Sequence, residues 1–231
     1  MITKIVTIYS CFLLAGIAEA ESLSSHAEMT LDSNYIYRGK TRTDHAPSVN
    51  GSIHMIGFSQ FELSSYVSNT GADEARDVEV HQSLANFNTI GDFFGYKLGI
   101  EYFASVISGG GTTVQPFLEL DLWFLNLQLA HAEKFFGTRT STQYISAGCE
   151  LPLNSKIAII ANAGYSRFEN SVRAGNKNYA DARVSLRYSG QNLNSIELYA
   201  IHTNRVIVDG KENEEKADDK MLGMAYSLVL R

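Results

Sequence analysis

The sequence predicts an all-β protein, specifically a transmembrane antiparallel up-and-down β-barrel of 12 strands. Three observations carry this reading. Apolar and polar residues alternate with a period of two along most of the chain. Leu118, Leu120 and Leu122 stand opposite Glu119 and Asp121. Likewise Ala180, Ala182, Val184, Leu186 and Tyr188 stand opposite Asp181, Arg183, Ser185 and Arg187. The connections between these segments alternate in length, short turns with long polar loops, as in bacterial outer-membrane barrels. Beyond the N-terminus no apolar run approaches the ~18 residues of a membrane helix, so a membrane protein of this sequence crosses with strands. The rival is a soluble, secreted β-sandwich, which alternates in the same way. Its turns tend to be of similar length at both ends, unlike those here.

The elements follow in order. Residues 1–20 read as a secretory signal peptide: Lys4 supplies the charge, 5–17 the apolar stretch, and Ala18-Glu19-Ala20 the cleavage motif. Residues 21–231 form the barrel. With Cys11 in the signal, Cys149 stands alone, which excludes an internal disulfide and a Cys-cluster metal site. Strands are expected near 26–38, 48–56, 58–68, 77–87, 94–106, 113–123, 126–135, 142–151, 156–168, 178–188, 195–206 and 220–230. The first places Ala27, Met29, Leu31, Tyr35 and Tyr37 on one face and Glu28, Thr30, Asp32 and Asn34 on the other. The long connections are 39–47, 69–76, 107–112, 136–141, 169–177 and 207–219. Tyr35, Tyr37, Phe94, Tyr96, Tyr102, Tyr144, Tyr165, Phe168, Tyr179, Tyr188 and Tyr226 are candidates for aromatic girdles at the membrane interfaces.

Composition narrows the function. A net charge of −6 gives no basic footprint for nucleic acid, and 45% apolar residues exclude a disordered chain. A charge facing lipid is costly, so the polar face of each strand is assigned to the interior. The pore-lumen candidates are Glu62, Glu79, Lys97, Glu101, Glu119, Asp121, Glu150, Asp181, Arg183, Arg187 and Glu197, with Asp32, His81 and Asn162 beside them. Acids outnumber bases in this set, which favours cations if the lumen is open. If the charges pair across it, the barrel is plugged. Arg38 and Gly39 end the first expected strand and are placed at the rim. There Arg38 either meets a solute or forms a salt bridge.

The segment Ser33-Asn34-Tyr35-Ile36-Tyr37-Arg38-Gly39-Lys40-Thr41-Arg42-Thr43 is distinctive, and Pro47, Gly51, Gly57-Phe58 and Ser68-Asn69 follow it. It resembles the opening signature of the Gcw_chp, or TorF-type porin, family of Gram-negative outer-membrane proteins. The resemblance implies a barrel in the outer membrane with a pore role. Asn34, Tyr37, Thr41 and Arg42 depart from that signature, and the chain ends in Leu230-Arg231 rather than an aromatic residue.

The expected function is passive diffusion of small ions or solutes with a cation preference. The partners are outer-membrane lipid, lipopolysaccharide and the solutes themselves; no cofactor or metal is expected. One alternative is a plugged structural or adhesive barrel acting through its loops. Another is an outer-membrane enzyme, for which Ser83 beside His81 on one strand face is the nearest candidate pair, without a third member. The acidic run 209–220 reads as a solvated loop, and divalent cations bridging lipopolysaccharide are its functional alternative. Oligomeric state is left open.

Overall fold

A computed structural model describes residues 24–57, 60–71, 77–91, 93–106, 111–135, 140–169, 178–190, 194–205 and 219–230. The signal peptide, most of the acidic run and Gly109-Gly110 lie outside these residues.

The chain forms β1 (Ser24–Asp32), β2 (Ile36–Tyr37), β3 (Lys40–Thr41), β4 (Ser48–Gly57), β5 (Phe61–Thr70), β6 (Asp77–Ile90) and β7 (Phe94–Ser105). It continues with β8 (Thr112–Leu122), β9 (Leu125–Ala132), β10 (Thr142–Pro152), β11 (Ile157–Phe168), β12 (Tyr179–Ser189), β13 (Ser195–Arg205) and β14 (Asp219–Leu230). Twelve strands close a barrel in the order β1-β14-β13-β12-β11-β10-β9-β8-β7-β6-β5-β4, every pair antiparallel. Each strand pairs with its neighbour in the chain, and β1 closes the ring against β14 from Ala27↔Leu230 to Asp32↔Ala225. Closure leaves no edge strand to be satisfied by water, which is why such a sheet can sit in lipid. One ladder is incomplete. The pairing of β8 with β9 starts at Phe117↔Ala130, next to Pro116, whose nitrogen carries no hydrogen to donate.

The period-two pattern sorts the two faces. Val49, Ile53, Leu84, Leu98, Ile100, Val114, Leu129, Ile145, Val184, Leu198, Leu222 and Met224 are exposed on the outside. Their alternates, including Ser68, Glu79, Gln115, Ser146, Asp181 and Ser185, are buried inside. An apolar outside over a polar inside inverts the arrangement of a water-soluble β-sandwich. Replacing Val184, mid-strand on the outer face, with arginine is expected to cost about 2–4 kcal/mol of stability in a bilayer. Equilibrium unfolding from lipid vesicles checks this, and an unchanged midpoint would contradict a lipid-facing β12.

Two expectations need correcting. The first strand does not run to 38. It ends at Asp32, and the hairpin β2–β3 is a separate two-stranded element. The reason is a cluster of local bonds at the exit: Ser33 N–H donates to the Met224 carbonyl, and Asn34 N–H donates to the Asp32 carboxylate. In addition, Tyr35, Tyr144, Phe168 and Tyr179 are buried rather than girdle residues. Exposed aromatics gather instead at the short turns, where Phe61, Phe93, Trp123, Phe124 and Tyr188 stand, Trp123 being 75% exposed.

Candidate functional site: a hairpin across the lumen

Between β1 and β4 the chain turns into the barrel. Tyr37 pairs with Lys40, so the loop of the β2–β3 hairpin is just Arg38 and Gly39. Both have positive φ, 49° and 72°. That is the type I′ geometry that matches the twist of a tight hairpin. Gly39 tolerates it freely, and a side chain there would collide with the Asp181 and Thr203 side chains. Arg38 adopts it at a cost of roughly 1–2 kcal/mol.

The base of the hairpin is fixed by one asparagine. The Asn34 side-chain oxygen Oδ1 accepts from Thr41 Oγ1 at 2.6 Å and Thr43 Oγ1 at 2.9 Å, and Tyr35 N–H donates to Thr43 Oγ1. One side is anchored on β6. Glu79, 0% exposed, accepts from Arg42 and from Tyr35 Oη and is in close contact with His81. His81 in turn packs on Phe103 at 4.1 Å and meets the edge of Tyr37. The other side reaches β12 and β13. The Gly39 carbonyl accepts from Thr203 Oγ1 at 2.6 Å, and Tyr199 Oη donates to the Asn34 carbonyl and to Asp32. Lys40 lies 4.3 Å over the Tyr179 ring, and Arg38 lies 4.2 Å over the Tyr144 ring on β10. In the ring order β6 and β12 stand six places apart among twelve, hence diametrically opposed. The hairpin therefore bridges the lumen from wall to wall.

The rest of the interior divides by end. Near the long connections it is filled: Glu79, Phe103, Thr113, Gln115, Thr142, Tyr179 and Ser68 are essentially inaccessible. Near the short turns it is wetter and its charges pair. Glu62 bonds Lys97 at 2.9 Å across β6 and also contacts His54. Arg183 bonds Glu197 at 2.6 Å, while Arg187 touches both Glu197 and Glu150. Glu101, Glu119 and Asp121 accept from the amides of Gln115, Gln128 and Asn126. The expected interior acids and bases thus fall into small groups around the wall. Asp181 stands beside the hairpin tip.

Three things differ from the sequence reading. Arg38 and Gly39 are not at the rim but at the tip of the inward hairpin, because the chain leaves the wall at Ser33. Arg38 makes no ion pair with any described residue; it rests on Tyr144 instead. Lys40 and Arg42 enter the barrel with it and, among the described residues, raise its cations from three to six, while Glu28 and Asp77 raise its acids from nine to eleven. The run Arg38-Gly39-Lys40-Thr41-Arg42 alternates charge with small residues, and that signal could have marked an inward basic turn. As for Ser83, its hydroxyl pairs with Ser64 at 2.6 Å, and His81 faces Glu79 and Tyr35. Among the described residues no three His, Cys, Asp or Glu side chains converge as a metal centre.

Comparison with known proteins agrees with this architecture. Among solved structures, the KdgM porin in complex with disordered oligogalacturonate matches 89% of this chain and 96% of its own, with a TM-score of 0.52 and 11% identity. A NanC porin structure matches 89% of this chain and 98% of its own, with a TM-score of 0.56 and 13% identity. At such identities the likeness is one of fold. No curated protein matches the sequence. The model of a family described as a bacterial protein of unknown function (Gcw_chp) matches residues 18–222, and the chain belongs to that family.

Proposed function

We propose that the protein is an outer-membrane channel for passive diffusion of small hydrophilic solutes and ions, with a weak preference for cations. The observation that carries this is a closed wall, apolar outside and charged inside, whose short-turn half holds ionised groups within reach of water. In this reading the short turns face the periplasm and the long connections the exterior, with membrane lipid and lipopolysaccharide around the apolar band. Cation preference follows from the remaining excess of carboxylates. Glu119 and Asp121 bond amides rather than cations, so their charge is not locally cancelled.

The test is conductance of the refolded mature protein in a planar bilayer under a salt gradient. Discrete steps with a cation-selective reversal potential support the reading. Replacing Glu119 and Asp121 with Gln and Asn is expected to move that potential toward zero without abolishing the steps. An anion-selective potential would overturn the charge argument and bring the lumen closer to solutes such as the oligogalacturonate held by the KdgM porin. The hairpin favours one second reading, a plugged barrel that acts through its loops. A silent bilayer with folded, inserted protein would decide for it.

A further inference from the structure

Beside the hairpin tip lies a cavity of about 320 Å3, lined by Arg38, Glu101, Gln128, Tyr144, Asp181 and Arg183 among others. Water occupies roughly 30 Å3 per molecule, so the space suits a solute the size of an amino acid. Its charges differ from the ion-paired groups nearer the short turns. Glu62, Glu79, Glu150 and Glu197 each have a cationic partner. Glu101 and Asp181 have none among the described residues, and Arg38 forms no ion pair with a described residue, although its charge reaches both. Asp181 is only 7% exposed, and one of its carboxylate oxygens is buried without a described hydrogen-bond partner. Arg38 is presented to the cavity at positive φ, a strained conformation for a non-glycine residue. Its guanidinium lies over the Tyr144 ring, an arrangement that can leave in-plane N–H groups available to a carboxylate.

We propose that this cavity is a binding site for a small zwitterion, its anionic end on Arg38 and its cationic end toward Glu101 and Asp181. The proposal rests on the channel reading and names a solute class for that lumen. A lone anion would face two carboxylates, and a lone cation would face the unpaired guanidinium. Arg183 does not redress this, since it is already held by Glu197. Only a molecule carrying both charges satisfies all three groups at once.

Calorimetric titration of the refolded barrel in detergent tests this with three probes. L-glutamine carries both charges, N-acetyl-L-glutamine lacks the cation, and L-glutamine methyl ester lacks the anion. Saturable binding of glutamine at least tenfold tighter than of either derivative is expected, lost in Arg38→Gln and weakened in Glu101→Gln. Equal affinity for the three probes, or undiminished binding by Arg38→Gln, would overturn the proposal. Heat-modifiable gel mobility verifies that each variant is folded. Titration does not require an open pore. Glutamine binding with a silent bilayer would therefore sink the channel reading alone, and conduction without binding would sink the site alone.

Discussion

Replacing Gly39 with valine is expected to raise the single-channel conductance several-fold. The substitution acts twice at the hairpin tip. It puts a β-branched side chain at φ 72°, where an ordinary L-residue loses roughly 1–2 kcal/mol. It also drives a new Cβ into the Asp181 and Thr203 side chains, so the tip must leave β12. The Thr203-to-Gly39 bond goes with it, and so does the approach of Arg38 to Tyr144. Strands β11, β12 and β13 do not depend on these contacts, because their ladders pair along their lengths without them. The barrel should therefore fold while the hairpin tip withdraws from the lumen. A second variant, with 36–41 replaced by a Gly-Ser linker, should give the same direction and a larger step. Unchanged conductance in both, with folded protein, would mean that the hairpin does not limit passage.

Removing Glu79 is expected to lower stability substantially. Its carboxylate is fully enclosed and serves Arg42, His81 and Tyr35 together. Glu79→Leu would leave the Arg42 charge without its described ion-pair partner. Breaking a buried pair from one side typically costs about 3–5 kcal/mol. Arg42 is partly exposed and can rehydrate, so the lower end, about 3 kcal/mol, is expected here. Guanidinium unfolding from vesicles measures it. The double variant Glu79→Leu with Arg42→Met should recover much of the loss, because no charge is then left behind. A double variant no more stable than the sum of the two single losses would place the energy elsewhere, in the packing of His81 on Phe103.

The wall was legible in the sequence because lipid and lumen impose opposite demands on alternate residues. The pattern of Ala180 to Tyr188 is enough to place β12 and its inward acids and bases. The apolar alternation hid the hairpin, for a specific reason. Tyr35 and Tyr37 continue the alternation of Met29 and Leu31, so the period runs straight through the point where the chain leaves the wall. Asn-Gly would have announced a type I′ turn, whereas Arg38-Gly39 does not. The buried tyrosines were misplaced for a related cause. A tyrosine in a girdle and one in the lumen satisfy the same strand preference, and only closure of the ring tells them apart. Ion pairs that skip a strand, such as Glu62 with Lys97, likewise depend on strand register and side-chain reach.

The bonds that hold the hairpin have a consequence for how the molecule is made. It leaves the translation machinery early, directly after the first strand, yet two of its anchors lie far ahead in the chain. Tyr199 bonds Asn34 across 165 residues, and Thr203 bonds Gly39 across 164. Contacts of such long range form late, since the intervening loop must close first. β13 must be in place before the tip can dock. The hairpin is thus fastened only as the last strands arrive.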